Sequence, residues 1–137
     1  MPTAKTAAAK IIVVEDDPVY RRALETQLGQ AGFHVLSFED GLKVLDYLDG
    51  GGAADAMVTH LQLPPGSPNG LSLAHLVRRR RPNLPTVMTT AFDDMAVYVD
   101  GRWGVLMHRD RGVDALLDAL RDQGLTSPDH ADVSVAP

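Results

Sequence analysis

The sequence predicts an α/β fold in which a five-stranded parallel sheet is doubly wound, with helices on both faces. Three observations carry this expectation. Five short apolar runs, most of them rich in β-branched residues, end in polar or acidic residues. Between them lie stretches with apolar residues at helical spacing. Gly, Pro, Asp or Asn stands at nearly every changeover, where a chain must turn or cap.

Taken in order, residues 1–9 read as a flexible arm. Lys10-Ile-Ile-Val-Val-Glu15 has the composition of a buried strand. Asp17 is placed to cap the first helix with Pro18 as its first residue, and Val19, Ala23, Leu24 and Leu28 give it an apolar face before Gly29 and Gly32. Phe33-His-Val-Leu-Ser-Phe38 alternates enough for an edge strand. Asp40-Gly41 opens a second helix carrying Leu42, Leu45 and Leu48 on one side, stopped by Gly50-Gly51-Gly52. The third strand is Asp55-Ala-Met-Val-Thr-His60, followed by an irregular loop, Pro64-Pro-Gly-Ser-Pro-Asn-Gly70. A third helix runs from about Leu71 to Arg81 with Leu73, Leu76 and Val77 inward, and Pro82 stops it. Strand four spans Leu84 to Ala91, a short helix covers about Asp94 to Asp100, and strand five is Gly104 to His108. Val113, Leu116, Leu117 and Leu120 mark the last helix, and residues 125–137 read as a flexible tail. The folded domain is thus expected over 10–124.

With the flavodoxin-like order 2-1-3-4-5, the switch point lies between strands one and three. Ligands of open α/β sheets bind beyond the carboxyl ends of the strands at such a point. Glu15, Asp16 and His60 then share one crevice, and Thr90 and His108 reach its rim.

Composition narrows the classes of function. A chain of 137 residues with 45% hydrophobic and 23% charged residues is long enough for one domain and ordinary for a globular one. The net charge of −5 argues against general nucleic-acid binding. No cysteine is present, so disulfides, thiolate metal sites and cysteine nucleophiles are excluded. The N-terminal residues are too weakly apolar for a signal peptide, and no run approaches a membrane span, so a cytoplasmic protein without membrane attachment is expected.

Val13-Val14-Glu15-Asp16-Asp17-Pro18, Thr90-Ala91 and Phe38-Glu39-Asp40-Gly41, in this order and spacing, resemble the receiver domains of two-component response regulators. The resemblance covers nearly everything from Lys10 to Gly124. It implies that Glu15 and Asp16 are the acidic pair that helps hold Mg²⁺, and that Thr90 is the switch threonine. The departures fall on the chemistry. The phosphoacceptor aspartate aligns with His60, the lysine that contacts the acyl phosphate aligns with His108, and the switch aromatic aligns with Val105. About two residues more than usual lie between His60 and Gly70, and about four fewer between Thr90 and Gly101, roughly one helical turn.

Receiver catalysis needs a carboxylate nucleophile, a Mg²⁺ held by oxygens and a cation on the developing charge. Imidazole at position 60 removes the nucleophile and an oxygen ligand together. The expectation is therefore a pseudo-receiver, not an enzyme, that takes part in phosphorelay signalling through protein contacts. Its partner would be a histidine kinase or an output protein, and a homodimer is compatible with the altered fourth helix. No cofactor is expected, with Mg²⁺ binding weakened or lost. The alternative is a metal- or ligand-sensing domain in which Glu15, Asp16, His60 and His108 hold a transition metal, which imidazole suits better than Mg²⁺. The competing reading pairs the two histidines with the acids as charge-balancing hydrogen bonds. Histidines charged near neutrality would make the fold sensitive to pH between about 5 and 8.

Three further features stand apart from the crevice. Arg78-Arg79-Arg80-Arg81 reads as a solvated helix end that complements the helix dipole, with an acidic partner as the sharper reading. His34 and His75 look like surface residues. Trp103 reads as a cover for the core edge or a partner anchor, and Tyr98 as a displaced stand-in for the switch aromatic.

Overall fold

The computed structural model describes residues 8–92 and 103–126. Five strands, β1 (Lys10–Val14), β2 (His34–Phe38), β3 (Ala56–His60), β4 (Thr86–Thr90) and β5 (Val105–His108), form one sheet. All pairings are parallel and the order is β2-β1-β3-β4-β5, as the sequence predicts. The described helices are α1 (Pro18–Gln30), α2 (Gly41–Asp49), α3 (Gly70–Arg80) and α4 (Gly112–Asp122), with a 3₁₀ turn at Arg109–Arg111. The helix expected at about Asp94 to Asp100, and Tyr98 within it, lie outside the described residues.

Why the central runs are continuously apolar is visible in β1. Ile11 and Val13 pack on one face with Leu24 and Leu28 of α1 and Leu116 and Leu120 of α4. Ile12 and Val14 pack on the other with Val44 and Leu48 of α2 and Leu73 and Val77 of α3. A strand covered on both sides has no solvent face to alternate with. Caps set the helix starts: Asp17 accepts from Val19 N at 2.9 Å, Asp40 from Lys43 N at 3.0 Å, and Asn69 from Ser72 N at 2.9 Å.

Several expected faces rotate. In α1, Val19 is 78% exposed and Ala23 is exposed, while Leu24 and Leu28 are buried and Tyr20 is partly so. In α2 the buried positions are Gly41, Val44 and Leu48, and Leu42 is half exposed. Leu is the stronger apolar signal in sequence, but the buried face of α2 is the one that carries Gly41 and Val44, with a Cβ on Gly41 standing 3.2 Å from Leu73 Cδ1. Strand ends are shorter than expected. Phe33 N bonds back to Leu28 O at 3.1 Å instead of joining β2. Pro85 has no N–H, and β4 begins after it. Core contact also passes the expected domain limits, since Ala9 packs against the core and Leu125, placed in the tail by sequence, is 6% exposed within it.

Candidate functional site

Strand register brings the site together. Val14 pairs with Thr59 and His60 with Thr89, so the residues following β1 and ending β3 meet at the carboxyl edge of the sheet. The backbone there is tied down from several directions. Glu15 N donates to Phe38 O at 3.1 Å, and Arg21 Nη1 donates to Glu15 O at 2.8 Å. The long loop after β3 returns through Gly70, whose N–H donates to Leu61 O at 2.8 Å. A Cβ on Gly70 would stand 2.3 Å from His60 O, so glycine is what allows α3 to start against the strand that carries His60.

Glu15, Asp16 and His60 each offer an atom within 4.8 Å of the others, with Glu15 buried, His60 partly buried and Asp16 exposed. Glu15 Oε2 accepts from Asp17 N at 3.0 Å and lies 3.6 Å from His60 Nδ1. Glu15 Oε1 and both ring nitrogens of His60 are buried with no protein hydrogen-bond partner. The Gln62 backbone lies alongside the ring, but neither nitrogen reaches hydrogen-bonding geometry with it.

Burial dominates the electrostatics of the pair. It pushes the Glu15 carboxyl up to about 7, helped by Asp16 and Asp17 and opposed by the hydrogen bond from Asp17 N. It also holds the His60 imidazole below its ordinary value; Arg109 adds to that lowering, and Asp16 opposes it. At neutral pH, then, burial disfavours the charged form of both groups, the imidazole and the carboxyl. Burial thus outweighs the neighbouring negative charge at His60, which goes against the condition, histidines charged near neutrality, on which the expected pH sensitivity rests. The group placed to titrate in the physiological range is Glu15.

His108 does not join this cluster. Its Nε2 lies 3.0 Å from Ala91 O, and its Nδ1 accepts from Asp110 N at 3.1 Å. The ring thereby fastens the end of β4 to the start of the 3₁₀ turn. The four-residue metal set is therefore reduced to Glu15, Asp16 and His60. Thr90 is 2% exposed; its Oγ1 accepts from Phe92 N at 3.1 Å and lies 3.4 Å from Gln62 Oε1. Val105, at the position of the switch aromatic, is 38% exposed on the edge strand.

The remaining candidates settle outside the pocket. His34 is exposed, whereas His75 is partly buried with its ring 4.0 Å from that of Trp103, so it is not a surface residue. Trp103 packs against Leu61, Ala74 and Met88, the core-edge reading. Sequence reasoning passed over Gln62, Arg21 and Gly70. Of these only Gly70 leaves a sequence signal, a glycine directly after the Asn69 cap.

A family profile described as the response regulator receiver domain matches residues 11–102. This chain belongs to that family. The transcriptional regulator NtrC of Escherichia coli K12 is 34% identical to this receiver over 83 residues, covering 61% of the chain and 17% of that protein. The alkaline phosphatase synthesis transcriptional regulatory protein SphR of Synechococcus elongatus is 35% identical over 101 residues, covering 68% and 38%. The receiver thus spans well under half the length of these curated relatives. The crystal structure of the response regulator TrrA from Thermotoga maritima, in complex with Mg²⁺-BeF, superposes with a TM-score of 0.73 at 21% identity, covering 84% of this chain and 98% of that one. That likeness shows the fold alone.

Mg²⁺ prefers near-octahedral oxygen coordination. The side chains that converge in this receiver supply two carboxylates and an imidazole. This donor set does not fit Mg²⁺ as a set of three carboxylates would. Among the described residues, no helix is long and apolar enough to cross a membrane.

Proposed function

We propose that this receiver is a pseudo-receiver, a two-component signalling module read by a protein partner without aspartyl phosphorylation. The observation that carries the reading is His60 at the end of β3, facing Glu15 and Asp16 where the family places its phosphoacceptor aspartate. A neutral imidazole provides no carboxylate to receive a phosphoryl group, and it weakens or abolishes Mg²⁺ binding by withdrawing an oxygen ligand. His108, at the lysine-equivalent position, is engaged by Ala91 and Asp110. Thr90 and Val105 are the switch-equivalent residues. Thr90 Oγ1 accepts from the backbone N–H of Phe92.

The partner is a histidine kinase or an output protein, as the relatives named as transcriptional regulators suggest. The receiver itself makes no direct nucleic-acid contact, consistent with its net charge of −5. Its working unit is the domain of residues 10–124 in a cytoplasmic setting, with a homodimer through the altered fourth helix as a further mode of contact.

The test is intact mass after incubation of the full chain with a small acyl phosphate and Mg²⁺. The expected spectrum is that of the untreated chain. A stoichiometric phosphoryl adduct on Asp16 or another pocket carboxylate would overturn the reading.

A further inference from the structure

We propose that Glu15, Asp16 and His60 form a site for a nitrogen-seeking divalent metal ion of the Zn²⁺ or Co²⁺ class, in place of Mg²⁺. The proposal deepens the pseudo-receiver reading by naming a ligand for the same pocket.

Geometry comes first. Ligand atoms sharing one Zn²⁺ at about 2.0–2.2 Å stand roughly 3–4 Å apart. Glu15 Oε2 and His60 Nδ1 are 3.6 Å apart, and all three groups offer atoms within 4.8 Å of one another. Small side-chain rotations are enough to close the set. The scaffold beneath is rigid, since Glu15 and His60 lie at the ends of β1 and β3, paired centre strands of the sheet.

The second observation is independent of the acidic cluster. Glu15 is 1% exposed, yet its Oε1 has no partner, and neither ring nitrogen of His60 has one either. Buried polar atoms are costly when left unpaired and are satisfied in the great majority of cases. A cation between them gives a partner to the Glu15 carboxylate and to one ring nitrogen of His60. Asp16 is exposed, so the site opens to solvent on that side and a metal there keeps water as its remaining ligand.

Ion identity follows from the donors. Imidazole suits Zn, Cu, Ni and Fe, whereas Mg²⁺ is held by oxygens. Exchanging the family's aspartate for His60 removes an acceptor for phosphate and supplies a ligand for these metals in one substitution. Arrival of such an ion, rather than of a phosphoryl group, would then change the charge at the strand ends.

The deciding experiment titrates the chelator-stripped full chain with Zn²⁺ and, separately, with Mg²⁺, using calorimetry and native mass spectrometry. The expected result is a single Zn²⁺ per chain, bound at least about tenfold more tightly than Mg²⁺ and weakened at least about tenfold by His60→Ala. His34→Ala, His108→Ala and His130→Ala should leave that binding in place, and His60→Asp should move the preference toward Mg²⁺. Equal or tighter Mg²⁺ binding, or Zn²⁺ binding indifferent to His60→Ala, would overturn the site. Should His60→Ala fail to fold by circular dichroism, the ¹⁵N shifts of the His60 ring in the native chain decide: movement on adding Zn²⁺ supports ligation and constancy refutes it. A phosphoryl adduct in the acyl phosphate experiment sinks the pseudo-receiver reading without touching these titrations, so the two can fail separately.

Discussion

A carboxyl group with only 1% exposure at the end of a central strand is an unusual choice, and Glu15 makes the fold answer to pH. Its ordinary value of 4.5 is raised to about 7 in the folded chain, chiefly by burial. The native state therefore keeps its proton longer than the unfolded one. The contribution of this group to stability is fully present below about 4.5, falls as pH rises, and is lost once pH passes about 7. The shift corresponds to roughly 3 kcal/mol at one pKa unit per 1.36 kcal/mol. Glu15→Gln should remove most of that slope and be the more stable protein at pH 8, measured by urea denaturation of metal-free chains across pH 4 to 8. Parallel pH profiles for the two proteins would show that Glu15 is not the titrating group. The sequence identified Glu15 and His60 as neighbours because each ends an apolar run. It left the charge of the histidine open because residue type carries no information about burial, and burial decides both protonation states.

Elements differ in how much of their packing can be read from residue order. The N-termini of α1 and α2 are capped by Asp17 and Asp40 where the sequence places them, whereas Asn69, read as part of an irregular loop, caps α3 and starts it one residue earlier than the expected Leu71. The faces of α1 and α2 depend on what they meet across the interface. Hence Val19 and Leu42, apolar and well spaced, point outward. The arginines closing α3 are the clearest case of a meaning that sequence cannot supply. Arg80 clasps the Asp49 carboxylate, and that hydrogen bond holds Asp49 below the usual carboxylate range. Arg81 donates to Leu48 O at 3.1 Å and Gly52 O at 2.9 Å, tying the end of α3 to the turn after α2. Arg79 is exposed. Arg81→Ala should therefore cost about 1–2 kcal/mol through two unpaired carbonyls, and Arg79→Ala should stay within about 0.5 kcal/mol. Equal effects in chemical denaturation would return the run to a merely solvated face.

At the scale of the whole molecule, the sheet is uneven by design of its topology. β1, β3 and β4 are interior strands, with almost every residue buried, whereas β2 and β5 are edge strands with no fully buried residue. Local opening is cheapest where few apolar contacts must be broken. Native-state hydrogen exchange should thus be slowest in β1, β3 and β4 and fastest, among the strands, in the two edge strands β2 and β5. Uniform protection across the sheet would contradict this. The topology itself was legible because buried parallel strands and amphipathic helices carry opposite periodicities. The packing of Leu125 was not, since a lone leucine beyond a helix end has no period to betray it.

The position of His60 also has a consequence for mutational history. Histidine and aspartate codons differ by a single base, whereas histidine and lysine codons differ by more than that, so a carboxylate at position 60 is closer in mutation than a lysine at position 108. A chain that took the easy step alone would set a third acid beside Glu15, in a pocket whose burial already resists ionisation. The shortest path to conventional chemistry thus begins with a liability, and selection acting on stability would favour the histidine unless a cation came with the change.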